Sequence, residues 1–400
     1  MSSLWFVNCH LTRNHIDFVF IIAHKTRLVD TKKRRYDLDW LRVIAILAVY
    51  FHHIGMPFNG DGFHIMNSES SKILDDIMVY FEQFRLPLLF LISGTGTVLA
   101  FSKRTWQQFF KERTGRLIIP LFFGVLFIVP PQTYYQYINE FSSYWQIYTD
   151  GRFETNHLWF IENLYIISIV AIPLIIFLKS KKSQRFRNWF AKMTSYKVGL
   201  LTGGLPLIIL TIVLKRYYPT GSSSLTNLSE TFFYTYFFIA GILFASSQLF
   251  WDNLKKFRRF HLIIFIVSSF LFYGYYFVPN TVVEPHLSIS VRWDIWYGLC
   301  CLLGWSFVLA LLGYGQIHLN KPSLWLKKMN EAIYPFYILH QTVIVVFAYY
   351  IIQLDLNIPA KLTILFISSF LVIIIIYRFM IYPFKIIRVL FGMKNKPNLK

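Results

Sequence analysis

Charged residues are scarce in this chain of 400 residues, and their scarcity excludes a soluble domain. Asp, Glu, Lys and Arg together make up 15% of the sequence, whereas a typical soluble domain has about 25%. Apolar residues make up 55%, and the mean hydropathy is +0.46. Because apolar runs long enough to cross a bilayer recur along the whole chain, the sequence predicts an all-α, polytopic transmembrane helical bundle.

Acidic residues are few even among the charged ones. The 20 Asp and Glu residues stand against 40 Lys and Arg residues, which leaves a net charge of +20. Such an excess is often a sign of nucleic-acid binding. Here the basic residues form short clusters between apolar runs, a pattern typical of residues that orient a membrane protein and contact anionic lipid. We therefore predict membrane lipid, and not nucleic acid, as their partner.

Cysteine is also rare, with only Cys9, Cys300 and Cys301. Their spacing fits neither a metal site nor a disulfide framework, so no metal is predicted and the thiols are interpreted as small buried side chains. The sequence also lacks the Walker A, H-E-x-x-H and G-x-S-x-G patterns. These absences exclude the common ATPases, zinc proteases and serine hydrolases.

Ten apolar segments are predicted to span the membrane, and the basic residues orient them. Lys and Arg accumulate in every second connection, starting with the N-terminal arm. By the positive-inside rule, this alternation predicts a multi-pass protein of the cell (cytoplasmic or inner) membrane with both termini in the cytoplasm. The predicted organisation is a basic arm at 1–35, a membrane domain at 36–383 and a basic tail at 384–400. The predicted spans are about 39–57, 74–101, 117–136, 158–178, 198–215, 231–247, 260–278, 293–313, 332–352 and 360–382.

The first predicted span carries ionisable side chains that are costly to bury. Arg42 and His53 are eleven positions apart, which is about three helical turns, so both lie on one face about 16 Å apart along the axis. His52 falls about 80° away, so spacing favours His53 as the partner of Arg42. Buried ionisable residues usually face a bundle interior or an aqueous cavity, which makes this face a candidate site. The alternatives are an arginine that reaches the headgroups and a histidine that only links helices.

Two further spans carry carboxylates at membrane depth. Glu82 and Arg85 are three residues apart in the second span, where they neutralise each other either within a site or as a structural ion pair. The fourth span opens with His157 and Trp159 and carries Glu162 one turn later. That carboxylate needs a partner, such as a sugar hydroxyl or a basic side chain, unless it reaches water at the helix end.

Two more pairs lie at the third and ninth spans. Arg113 and Arg116 suit the phosphates of a nucleotide or of coenzyme A, although orientation by positive charge also explains them. Pro335 is expected to kink or loosen the first turn of the ninth span. Tyr337 and His340 follow on one stripe of that helix. A second deep histidine favours a site, and a purely structural histidine is the alternative.

Five motifs, taken in order, resemble the acyltransferase-3 family of integral membrane acyltransferases, most closely its branch of glucan succinyltransferases. The motifs are YDLDWLRVIAILAVYFHH, FRLPLLFLISG, RTGRLIIP, HLWFIENLY and YPFYILHQT, across nearly all of residues 36–345. The resemblance implies transfer of an acetyl or succinyl group from a cytoplasmic acyl-CoA to a hydroxyl of an envelope glycan or lipid-linked sugar, with no permanently bound cofactor. The family's essential arginine and histidine fall on Arg42 and His53, and its arginine pair falls on Arg113 and Arg116.

The resulting hypothesis assigns a role to each candidate. His53 acts as a base or carries the acyl group, Asp39 orients Arg42, and the arginine pair binds the donor. The remaining candidates, which hold the acceptor or orient the base, are Arg85, Glu82, His157, Trp159, Glu162, Tyr337 and His340. Two alternatives stay open: a transporter or flippase of a glycan precursor or small acid, and a non-catalytic scaffold for polysaccharide synthesis or export machinery.

Overall fold

The computed structural model describes residues 34–218 and 227–394, and every regular element in these two ranges is helical. Short 3₁₀ turns lie at Asn156–Leu158, Lys181–Ser183 and Leu201–Gly203, and π-helical turns lie at Gly124–Ile128 and Ile376–Ile381. The α-helices are α1 (Tyr36–Asn59), α2 (Lys72–Phe101), α3 (Trp106–Phe123), α4 (Pro130–Gln136), α5 (Gln146–Thr149), α6 (Trp159–Val170), α7 (Ile172–Lys179), α8 (Gln184–Met193), α9 (Gly204–Tyr217), α10 (Leu228–Ala245), α11 (Gln248–Lys256), α12 (Arg258–Tyr276), α13 (Asn280–Val283), α14 (Ile289–His318), α15 (Leu324–Ile351), α16 (Ile358–Ile375) and α17 (Lys385–Leu390).

The all-helical membrane architecture predicted from the sequence is confirmed. Within the described ranges, eight helical segments are long and apolar enough to cross a bilayer, and the pair α6 and α7, bent by 43°, makes up to nine. The predicted span 198–215 coincides with a 3₁₀ turn and with α9, which has 14 residues and is too short to count by length alone. The number of ten spans and the cytoplasmic position of both termini therefore stay predictions.

Helix α1 lies at the centre of the bundle. It packs against α2, α14, α15 and α16, and it buries Leu41, Val43 and Tyr50. The Tyr50 hydroxyl donates to the backbone carbonyl of Phe366 at 2.9 Å, which ties α1 to α16. The helix ends at Gly60, whose φ of 94° is a left-handed conformation that glycine adopts without strain. With helices on several sides, His52 and His53 are partly buried, whereas the apolar Ile44 and Phe51 form the exposed side of α1.

Helices α2 and α10 approach closely because each offers a glycine to the backbone of the other. A Cβ on Gly94 would lie 2.0 Å from the carbonyl oxygen of Phe238, and one on Gly241 would lie 2.0 Å from that of Leu91. The Thr95 hydroxyl donates to the Gly241 carbonyl at 3.0 Å across the same contact. Small residues at helix crossings permit this proximity in membrane bundles.

Helix α3 begins well before its predicted apolar start. Thr105 and Gln108 form a reciprocal capping box, with the Gln108 backbone N–H 3.3 Å from the Thr105 hydroxyl. Arg113 and Arg116 consequently lie inside a continuous helix. The chain beyond 384 packs back onto α3 through α17, in which Arg388 is buried and donates to Glu331 at 2.7 Å.

Helix α15 runs without a break through Pro335. The sequence predicted this proline in the first turn of a span beginning near 332, and this was wrong because the helix already starts at Leu324. The Ser323 side chain caps that earlier start, with its hydroxyl 3.5 Å from the Leu326 backbone N–H. The extra turns place Asn330 on the same helix as the buried Tyr337 and His340.

Candidate active site

His53 and His340 meet where α1 contacts α15. Nδ1 of His53 lies 3.1 Å from Nε2 of His340, and the two rings stack at 18° with their centroids 4.9 Å apart. Arg42, eleven residues earlier on α1, reaches α15 as well, with a guanidinium nitrogen 2.5 Å from Oδ1 of Asn330. Arg42 and His53 therefore share the face of α1 that contacts α15, as their spacing predicts.

The hydrogen bonds of His340 define which nitrogens carry protons. Nδ1 of His340 lies within hydrogen-bonding distance of the backbone carbonyl of Tyr337. A carbonyl only accepts, so this nitrogen donates, and in the neutral ring Nε2 is then an acceptor. His53 must donate to it through Nδ1, which leaves the lone pair of the His53 imidazole on Nε2. The chain from His53 through His340 to Tyr337 thus sets one tautomer of each histidine.

His52 faces a different neighbour. Its Nδ1 accepts a hydrogen bond of 3.0 Å from Arg85 on α2, and the Arg85 guanidinium lies 3.7 Å from Glu82. Arg85 is buried, whereas the Glu82 side chain is 54% exposed. The sequence predicted that Arg85 and Glu82 hold the acceptor or orient the base. The structure places both beside His52, and Arg85 is also close enough for its charge to act on His53.

A pocket of about 610 Å³ opens onto His53. The 3₁₀ turn Asn156–Leu158 and the first residue of α6 form one wall with His157 and Trp159, two of the sequence-predicted residues. His157 is held in place by its Nε2, which donates to the Ile338 carbonyl at 3.0 Å, and by its own carbonyl, which accepts from the Tyr337 hydroxyl. The residues that line this pocket are His53, Met56, Phe63, His64, Glu154, Thr155, Asn156, His157, Trp159 and Gln341.

A network of amides and imidazoles supports the pocket from behind. The side-chain nitrogen of Gln341 lies 2.9 Å from Nε2 of His64 and 3.0 Å from the Gln132 carbonyl oxygen. Gln132 in turn donates to Thr342 at 2.6 Å, and its amide nitrogen is 3.3 Å from Nδ1 of His157. Every contact pairs a donor with an acceptor when both imidazoles are neutral.

His64 lies in the connection between α1 and α2, beside this network. Its Nδ1 is hydrogen-bonded to the side-chain oxygen of Gln136, so its Nε2 is the acceptor toward Gln341. Burial lowers the pKa of His64, and the bond to Gln136 opposes that shift in part. The sequence analysis missed His64 and Gln132, because nothing in the chain around them distinguishes them from ordinary loop and interface residues.

Three arginines lie around the start of α1, at the end of the bundle opposite to the pocket: Arg42, Arg113 and Arg116. Arg42 donates a hydrogen bond to Asp39 at 3.0 Å, and the orienting role predicted for that carboxylate stays a prediction. Arg113 is engaged by the Thr97 hydroxyl at 2.7 Å, whereas the Arg116 side chain is 49% exposed and lies 3.7 Å from Glu112. Arg42 and Arg116 are close enough for their charges to interact. Together they form a cationic region in which Asp39 and Glu112 offset part of the positive charge.

Comparison with known protein families decides what class of protein carries this site. A family model described as an acyltransferase domain matches residues 35–378. The chain belongs to the acyltransferase-3 family. Together with the long apolar helices, this membership indicates a multi-pass membrane protein. The match includes both histidines of the stacked pair and both sets of arginines.

Curated relatives of the chain are found among bacterial proteins. It is similar to glucans biosynthesis protein C of Escherichia coli (strain K12), with 25% identity over 223 residues, or 53% of this chain and 58% of the relative. It is also similar to the protein of that name in Salmonella typhimurium, with 26% identity over 52% of this chain and 58% of the relative. The chain thus spans little more than half the length of these relatives. No solved structure matches it.

The acyltransferase fold does not gather every predicted residue at the pocket. Glu162 lies on α6 one turn beyond Trp159 and is not among the residues that line the pocket. Tyr337 and His340 lie behind the pocket wall, where they act on His53 and His157 through hydrogen bonds. The sequence identified these residues by depth and spacing, but only the packing of α1 on α15 separates supporting residues from those that meet the pocket.

Proposed function

We propose that this protein is an O-acyltransferase of the cytoplasmic membrane. It moves an acetyl or succinyl group from a cytoplasmic acyl-CoA to a hydroxyl of an envelope glycan or lipid-linked sugar. The observation that carries the proposal is the His53 imidazole, which opens onto a pocket while its other nitrogen is hydrogen-bonded to His340. An imidazole held in this way is suited to remove a proton from a hydroxyl.

During the transfer, one proton passes from the acceptor hydroxyl through His53 to the leaving thiolate. The acceptor O–H gives its proton to Nε2 of His53 as the oxygen attacks the thioester carbonyl, and the new C–O bond forms. The C–S bond then breaks, and the leaving thiolate takes the proton from the imidazolium. His340 accepts the Nδ1–H bond of His53 throughout and so keeps Nε2 directed at the acceptor. In a variant of this scheme, His53 first carries the acyl group itself.

The donor is bound by the arginines at the cytoplasmic end. Arg42 and Arg116 present positive charge to the phosphates of coenzyme A, and guanidinium groups bind phosphate oxygens through paired hydrogen bonds. The Arg113 guanidinium donates a hydrogen bond to the Thr97 hydroxyl. We therefore expect Arg113 to stabilise this region and not to contact the donor directly. Asp39 and Asn330 fix Arg42 in place. No bound cofactor is required, because the thioester supplies the activated acyl group.

Acyl transfer by the purified protein reconstituted in sealed proteoliposomes tests this function. Radiolabelled acetyl-CoA or succinyl-CoA is supplied on one side and a glucan oligosaccharide on the other. We expect label on the oligosaccharide together with an equal amount of free coenzyme A. Movement of the glycan across the bilayer without label transfer would favour the transporter alternative. If neither label transfer nor movement of the glycan occurred, the remaining alternative would be a non-catalytic scaffold for polysaccharide synthesis or export machinery.

A further inference from the structure

Residues 388–394, here named the C-terminal turn, pack against the helices that carry the donor region. The turn begins within α17, after the span that ends at Ile381. Its Phe391 and Met393 side chains are buried, and the Phe391 ring packs edge-on against Phe123 of α3, with the centroids 5.4 Å apart. The match to the acyltransferase family ends at residue 378. The role of this turn therefore does not follow from the family.

Arg388 ties the C-terminal turn to α15. Its side chain is only 4% exposed, and its guanidinium donates to Glu331 at 2.7 Å and to the Lys394 carbonyl at 2.8 Å. One arginine thus closes the turn on itself and joins it to a helix that precedes it by 57 residues. Loss of one partner of a buried ion pair leaves an uncompensated charge, so this link is costly to break. Glu331 directly follows Asn330, which holds Arg42.

Gly392 brings the same turn against α3. Its φ of 65° is a left-handed conformation, and a Cβ at this position would overlap the Tyr334 ring and lie 2.8 Å from the carbonyl oxygen of Arg116. The Tyr334 hydroxyl, on α15, donates to that same carbonyl at 3.3 Å. The turn therefore lies where α3 meets α15, against the backbone of an arginine that we assign to the donor.

The charges of Arg42 and Arg116 make a link between these helices necessary. Arg42 is bonded to Asn330 of α15, and Arg116 belongs to α3. The two guanidinium groups are close enough to interact, and two positive charges repel each other. Among the residues that the structure describes, α3 and α15 have little direct backbone contact. The distance between the two charges therefore depends on what joins α15 to α3.

We propose that the C-terminal turn is a positioning element of the donor site and that Arg388 is its central residue. By joining α15 to α3, the turn sets the spacing at which Arg42 and Arg116 both reach the phosphates of one coenzyme A. Binding groups that are already in place bind more tightly, because less order has to be created on binding. Arg388 acts through Glu331 and does not itself bind the donor. This inference rests on the proposed transfer from acyl-CoA.

A substitution of Arg388 disturbs the link to α15. Arg388→Met removes the ion pair with Glu331 and keeps an unbranched apolar side chain in the same space. Arg187→Met is the matched control, because Arg187 is also buried. Its guanidinium donates to the Leu178 carbonyl and to Gln184, within the segment of α7 and α8. A general cost of losing a buried arginine would appear in both variants.

A substitution of Gly392 disturbs the contact with α3 by a single methyl group. Gly392→Ala must move the turn away from Tyr334 and Arg116. Gly151→Ala is the matched control, because Gly151 has the same φ of 65° and a Cβ there would meet no atom within 4 Å. The two variants share the strain of an alanine in a left-handed conformation, so a difference between them reports the contact alone.

Isothermal titration with coenzyme A, on the protein in nanodiscs, measures donor binding without acyl transfer. We expect Arg388→Met and Gly392→Ala to raise the Kd about 10-fold, and we expect Arg187→Met and Gly151→Ala to bind like the unchanged protein. In the transfer assay, the first two variants should raise the KM for acyl-CoA and leave the KM for the acceptor unchanged. A smaller folded fraction would lower the rate and leave both KM values unchanged, so it gives a different result.

Contrary results separate this inference from the proposed function. An unchanged Kd in either folded variant, Arg388→Met or Gly392→Ala, would refute the positioning role and leave the proposed acyl transfer intact. An equal rise of the Kd in the control variants would refute it as well, because the loss would then be general. If Arg388→Met does not fold, Gly392→Ala decides. An unchanged protein that unfolds cooperatively but binds no coenzyme A would refute the proposed donor and the inference together.

Discussion

Nδ1 of His53 donates a hydrogen bond to Nε2 of His340 over 3.1 Å, between α1 and α15. The carbonyl of Tyr337 fixes the opposite nitrogen of His340 as a donor. The two contacts together leave the lone pair of the neutral His53 ring on Nε2. In serine proteases a buried carboxylate orients the catalytic histidine in a comparable way. Here a neutral imidazole and a backbone carbonyl replace the carboxylate.

Substitution of His340 tests this orienting role. His340→Ala removes the acceptor for Nδ1 of His53, so either nitrogen of the base can carry the proton, and we expect kcat to fall about 10²-fold or more. His340→Gln retains an oxygen that accepts this hydrogen bond and should recover part of the loss. Steady-state kinetics with saturating donor and acceptor measure both variants. Equal losses in the two variants would show that His340 only fills space.

The donor region predicts different results for the two neighbouring arginines. Arg116 is half-exposed, so Arg116→Gln should raise the KM for acyl-CoA with a smaller effect on kcat. Arg113 is engaged with Thr97 and stacks near Phe109, so Arg113→Gln should lower the unfolding temperature as well. Donor titrations and thermal unfolding of both variants measure these effects. If the KM for acyl-CoA were unchanged in the variant that carries both Arg113→Gln and Arg116→Gln, the two arginines would serve only to orient the protein in the membrane.

Close packing of α2 on α10 gives a prediction about stability alone. Gly94→Ala places a methyl group 2.0 Å from the Phe238 carbonyl oxygen, so the helices must separate. We expect a loss of about 1–3 kcal/mol in the free energy of unfolding. Gly96→Ala on the same helix is the control, because its Cβ would meet no atom within 4 Å. Equal unfolding temperatures for the two variants in detergent would contradict the close contact.

Protonation of His64 should make the protein less stable in mild acid. Burial lowers its pKa in the folded state, so below about pH 6.5 the unfolded chain binds a proton that the folded protein does not. Stability from this residue is complete above that pH and falls as the pH decreases. His64→Gln removes this proton uptake and should therefore lose less stability between pH 7.5 and 5.5. An identical loss in both proteins would exclude His64 as a contributor.

The sequence predicts the fold class and the face that Arg42 and His53 share, but only part of the network around the pocket. The spacing of Arg42 and His53 predicted that both side chains lie on the face of α1 that contacts α15, because helix periodicity is local and needs no knowledge of packing. The partner of His52 and the network of His64, Gln132 and Gln341 join residues that are far apart in the chain, so no local pattern reveals them. The length of the apolar runs was enough to predict most spans. It did not reveal that the segment 198–215 combines a 3₁₀ turn with a short helix.

The proton-accepting role of His53 is tested most directly by a pair of glutamine variants. His53→Gln keeps a polar side chain beside His340 but cannot accept a proton. His52→Gln keeps an oxygen for the hydrogen bond from Arg85 and leaves the base intact. We measure acyl transfer by equal amounts of folded protein in nanodiscs. The account predicts a loss of about 10²- to 10⁴-fold for His53→Gln and near-normal turnover for His52→Gln; near-normal turnover by His53→Gln would contradict it.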